Sequence, residues 1–123
     1  MFMKQDWLMR QIEIIAVAIA RLVFGKGEVQ YDLKEKEKNR QGEPPHKELW
    51  ELLARHELGM AEDRLFEFLS PEEEGRLALA VEFYRQANTF SDEELAMQGF
   101  TRDELLDGLH DAMRIYGVEI PGF

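Results

Sequence analysis

A chain of 123 residues that is 45% apolar and has no cysteine is one domain's worth, with enough apolar content for a core. The lack of cysteine excludes disulfides, thiolate metal sites and a cysteine nucleophile. Its formal charge of −10 is uneven: residues 1–47 carry nine Lys/Arg against seven Asp/Glu, and residues 48–123 carry six against eighteen. So acidic a body repels phosphate backbones and anionic lipid, which argues against nucleic-acid binding.

The first predicted element is the most unusual. Residues 6–26, DWLMRQIEIIAVAIARLVFGK, read as a helix that is apolar almost all the way round. At about 100° per residue, Arg10, Glu13 and Arg21 share one narrow sector with Val17 between them. Trp7, Leu8, Ile12, Ile14, Ile15, Ile19, Leu22, Val23 and Phe24 take most of the remaining circumference, and Gly25 supplies a left-handed stop. The longest stretch free of polar residues, Ile14–Ala20, is seven residues, far short of a membrane span. Arg10 and Glu13 also sit badly in a secretory signal, so a cytoplasmic, soluble helix is expected. A helix without a wet face has to be sheltered by protein. Trp7, Ile12, Ile15, Ile19, Leu22 and Phe24 are the candidate interaction residues, to be covered by the chain's own body, by a second copy in a homodimer, or by a protein partner.

A charged connector follows, residues 26–46. It holds a short alternating stretch from Val29 to Leu33, a run of mixed Lys and Glu, and Pro44–Pro45, which bars helix before it and opens the next element. From residue 47 on, the body is helical. Leu49, Trp50, Leu52, Leu53 and Leu58 predict a helix over about 46–58 that Gly59 breaks. Leu65, Phe66, Phe68 and Leu69 mark the next, about 60–69. Three capping boxes then place helix starts near 71, 92 and 102: Ser70 with Glu73, Ser91 with Glu94, and Thr101 with Glu104. The helix from Pro71 to about Asn88 is expected to bury Leu77, Leu79, Ala80, Val81, Phe83, Tyr84 and Ala87. A short helix near 92–98 ends at Gly99, and a last one, about 102–116, ends at Gly117. The apolar tail from Val118 is expected to lie against the body.

Chemistry candidates are few. Asp107 and His110 stand at i and i+3 with Asp103 and Asp111 near the same face, the beginning of a helical carboxylate metal site. Other helices turn Leu and Phe inward where such a site needs acids, so no metal or other cofactor is expected. His56, Glu57 and Glu62 lack zinc-peptidase spacing, and Ser70, Ser91 and Thr101 are explained as caps, so no catalytic residue is assigned. Arg76 and Arg85 are expected to pair with Glu72, Glu73 or Glu82. Trp50, Phe66 and Phe68 read as core.

Asp6, Trp7, Leu8, Met9, Arg10, Gln11, Ile12 and Glu13, followed by Phe24, Gly25 and Lys26, resemble the opening shared by small helical firmicute proteins that carry a domain-of-unknown-function label. Their signature is D-W-[LI]-M-R-Q-I-E, then an apolar helix ending in F-G-K. That resemblance brings no activity with it. Residues 48–90 are similar to tetratricopeptide helix-turn-helix units in the order of Trp50, Leu53, Gly59, Ala61, Leu65, Phe68 and Pro71. Trp50 and Pro71 are only 21 residues apart, and the unit has no second copy. This second resemblance implies a concave helical surface that binds peptides or proteins.

The sequence therefore predicts an all-α fold of five to six helices in antiparallel hairpins, tetratricopeptide-like or an orthogonal bundle. Residues 1–25, 26–46 and 47–123 together form one domain. The leading function is a non-enzymatic protein-interaction or structural module. The alternative is a peripheral membrane adaptor that lays the first helix in the interface, although that helix lacks a Lys-rich polar face. A metal-binding or enzymatic helical protein is third.

Overall fold

The computed structural model describes residues 2–23, 25 and 45–120. Phe24, nearly all of the charged connector and the last three residues, for which the sequence also carries expectations, lie outside them. The described residues form six helices: α1 (Phe2–Leu22), α2 (Pro45–Ala54), α3 (Leu58–Phe68), α4 (Arg76–Ala87), α5 (Asp92–Met97) and α6 (Arg102–Ile115). Among the described residues there is no strand, and the fold is all-α.

The helix enclosed by its neighbours is α4. It packs against α1, α2, α3 and α6, while α1 also lies along α6 and α2 pairs with α3. The reason is in its side chains. Leu77, Leu79, Val81, Phe83 and Tyr84 point to several sides, and Ala78, Ala80 and Ala87 let neighbours come close between them; all are buried. The central position thus belongs to α4, and α1 is a flanking helix.

Sequence punctuation worked at two of three helix starts. Ser91 and Glu94 form a complete capping box ahead of α5, and Thr101 and Glu104 form one ahead of α6. Ser70 does not. Its N–H donates to the Tyr116 hydroxyl at 3.1 Å, its own hydroxyl bonds Glu72, and successive turns carry the chain to Gly75 before α4 begins at Arg76. Arg76, expected to pair with local glutamates, instead lies over the Phe68 ring at 4.1 Å and donates to the Phe68 carbonyl at 2.9 Å. These long-range contacts overrode a local helix signal. Replacing Ser91 or Thr101 by Ala should cost about 1 kcal/mol each. Ser70→Ala should cost less than half as much in the same urea denaturation series, because its hydroxyl caps no helix.

Helix ends follow a common pattern with one substitution. Gly99 and Gly117, at φ +78° and +65°, take the left-handed position after α5 and α6. After α2 that position is held by His56 at φ 58°, with its N–H on the Leu53 carbonyl at 3.0 Å and the Glu57 N–H on the Leu52 carbonyl at 2.9 Å. Gly59, expected to break this segment, lies inside α3. A non-glycine residue in this region costs roughly 1–2 kcal/mol. Here the cost is offset by an edge-on contact of the His56 ring with Phe90 at 5.1 Å. In the tail, Ile120 is buried and Val118 half-buried against the body, as the apolar tail led one to expect.

Candidate interaction surface

Helix α1 has two faces that composition alone could not separate. Leu8, Ile12, Ile15, Ala16, Ile19 and Ala20 are buried, with Ile12 and Ile19 fully so. Each fully buried Leu or Ile contributes roughly 1.5–3 kcal/mol relative to exposure, which makes this face integral to the core. On the other side Trp7 is 56% exposed, Ile14 45%, Val17 39% and Leu22 68%. Arg10, Arg21 and Asp6 are exposed between them. Of the six candidate interaction residues, Ile12, Ile15 and Ile19 are covered by the chain's own body. Trp7 and Leu22 face outward, and Phe24 lies outside the described residues.

Two polar anchors hold α1 in place. Asn88, at the end of α4, donates from Nδ2 to the Met9 carbonyl at 3.1 Å. Arg85 pairs with Glu13 at 3.3 Å and with Glu82 at 3.9 Å. Around this pair lies an open groove of about 380 Å³ lined by Met9, Glu13, Glu82, Gln86 and Thr89 among others. At the opposite end of α1, Leu22, Val23, Pro71, Glu74, Tyr116 and Val118 line a second recess of about 310 Å³. It lies at the same end of α1 as Leu22.

Behind Asn88 sits a buried arginine. Arg102 is 2% exposed; Nη1 donates to the Asn88 carbonyl at 2.8 Å and to its Oδ1 at 3.0 Å. Its Nη2 donates to the Phe90 carbonyl and to Asp92 Oδ1, both at 2.8 Å. One guanidinium thus satisfies carbonyls at the end of α4, fixes the start of α5 and supports the residue that holds α1. On another side of the core, the Tyr84 hydroxyl donates to Glu62 Oε2 at 2.5 Å, linking α4 to α3, and Gly108 of α6 lies directly over the pair.

These polar elements were not found by sequence reasoning. Signals did exist. An arginine at the first helical position opposes the helix dipole, and a glycine inside α6 costs about 1 kcal/mol against alanine, so each asks for a tertiary reason. Glu62 gave no such signal.

Burial raises the Glu62 carboxyl above its ordinary value, against the opposing Tyr84 hydrogen bond, with Asp63, Asp111 and Glu104 adding to the rise. Burial likewise raises the Tyr84 hydroxyl, with Glu62 reinforcing it. Because Glu62 binds its proton more tightly folded than unfolded, its contribution to stability is present below pH 4.5 and is lost as pH rises through the elevated folded value. Glu62→Gln keeps an acceptor for Tyr84 and removes the charge. Its stability advantage over the parent should therefore grow with pH across that window in paired urea denaturations, whereas a constant difference would contradict the assignment.

For chemistry the arrangement offers little. Asp107 is exposed and His110 half-exposed on α6, and among the described residues no three His, Asp or Glu side chains are placed to hold a metal ion. No described helix is long and apolar enough to cross a membrane.

The family of unknown function DUF6483 matches residues 2–117. The chain belongs to that family. No curated protein and no solved structure matches it.

Proposed function

We propose that this member of the DUF6483 family is a non-enzymatic helical interaction module, and that it works by burying the outer face of α1 against another protein surface. One observation carries the reading. Five of the seven large apolar side chains exposed among the described residues lie on this single helix, and four of them, Trp7, Ile14, Val17 and Leu22, share the side away from the face locked into the core. Rigid attachment matters because a face already fixed in shape loses little conformational freedom on binding. Aromatic residues such as Trp7 are the ones that most often dominate interface energetics. A cytoplasmic setting is part of the same proposal and is supported by the charges that interrupt α1, Arg10 and Glu13.

The test uses the immobilised full chain and a Trp7→Ser/Leu22→Ser variant, whose changes fall on exposed positions and leave the core intact. The proposal expects proteins retained from the native host's lysate by the parent to be lost with the variant. Identical retention by both would overturn it.

A further inference from the structure

We propose that the occupant of the α1 face is a second copy of this chain, with the two α1 helices crossing antiparallel about a two-fold axis at Ile14. The inference rests on the interaction-module reading and names its partner.

Spacing supplies the first argument. At about 100° per residue, Trp7, Ile14, Ala18 and Leu22 fall within about 80° of one another, so they form one stripe along the helix. With Ile14 on the axis, Trp7 stands seven residues to one side, about 10 Å at the rise of an α-helix; Arg21 stands the same distance to the other side, and Leu22 one residue beyond it. Antiparallel crossing therefore sets Trp7 of each copy at the Leu22 end of its partner. That end carries the recess of about 310 Å³ lined by Leu22, Val23, Tyr116, Val118 and Glu74. Its lining suits an indole, which brings a broad apolar body and one N–H donor that a carboxylate such as Glu74 can accept. The same patch supplies both knob and socket, as a two-fold interface requires.

Charge supplies the second argument. A parallel pairing would set Arg10 on Arg10 and Arg21 on Arg21, whereas the antiparallel one brings Arg21 of each copy to Trp7 and Asp6 of the other, a cation–π contact and an ion pair. With a net charge of −10, two copies repel one another over most of their surface. The outer face of α1, with Arg10 and Arg21 against Asp6, is where they can meet. Salt should therefore strengthen this association by screening the acidic bodies, while a basic partner held by charge would be weakened by it.

A single helix pair buries less than a standard interface, so the dimer should be weak, and sedimentation equilibrium of the full chain over about 10–500 μM is the suitable test. The expected result is a monomer–dimer equilibrium that tightens in high salt and is weakened about tenfold by Trp7→Ser and by Leu22→Ser. Circular dichroism checks that both variants stay folded. The chain has no cysteine, so Ile14→Cys offers a unique thiol that should form a disulfide dimer across the axis on air oxidation. Monomer at every concentration overturns the proposal. So does a dimer indifferent to both serine variants and not captured by Ile14→Cys. Either failure removes the second copy as occupant, while the lysate experiment decides separately whether the α1 face binds protein at all.

Discussion

Replacing Gly108 by alanine should destabilise the protein by about 3 kcal/mol, although alanine is the better helix former by about 1 kcal/mol. The reason is contact. A Cβ at Gly108 would fall on the Tyr84 hydroxyl, 2.6 Å from Glu62 Oε2 and 2.7 Å from Tyr84 Cζ. Tyr84 cannot retreat, because it is fully buried and its edge is packed on Phe83 at a centroid distance of 5.1 Å. Either α6 lifts off α4 or the Tyr84–Glu62 hydrogen bond breaks and leaves a buried hydroxyl unsatisfied. Gly59→Ala is the matched control. Its Cβ would meet only Phe100 at 3.8 Å, so the same substitution in α3 should stabilise by roughly 0.5–1 kcal/mol. Urea denaturation followed by circular dichroism reads both, and two shifts of the same sign would contradict the packing described here.

Arg102→Met should cost about 3–5 kcal/mol, the scale of removing one partner from a buried charged network. Methionine retains much of the stem's volume, so the loss reports the four hydrogen bonds rather than a cavity. Without them the Asn88 and Phe90 carbonyls lose their donor at the end of α4, and Asp92 loses its tie at the start of α5. Arg102→Lys should recover less than half, because a single ammonium cannot span positions the guanidinium fork reaches. Since Asn88 also holds the Met9 carbonyl, the damage should reach α1, seen as faster amide exchange there. A Lys variant as stable as the parent would show that charge alone, and not the fork, matters.

Much of the fold was legible because local signals are written in short stretches. The boxes at Ser91 and Thr101 and the stops at Gly99 and Gly117 need only four to six residues to be read. What failed was decided over distance. Ser70 carries the same cap signal as Ser91, yet Tyr116, 46 residues away, takes its N–H. Large aliphatic residues stand on both faces of α1, so apolar character alone does not separate them. Only the positions of α4 and α6 decide that Ile12 and Ile19 go inside while Ile14 and Val17 stay out. The polar network was hidden for the same reason: Arg102, Asn88 and Met9 are scattered across the chain and meet only once it has folded.

That two-sidedness is the claim on which the functional reading depends, and Trp7 reports on it directly. The chain has two tryptophans, and Trp50→Phe removes the half-buried one and leaves Trp7 as the sole indole. Its fluorescence, followed as the protein is concentrated, should begin at the long wavelength of a wet indole and move to shorter wavelength as the α1 face becomes covered. Emission unchanged and wet at the highest concentration would remove the second copy as occupant and leave the two faces as described, whereas emission already blue at the lowest concentration would contradict the account.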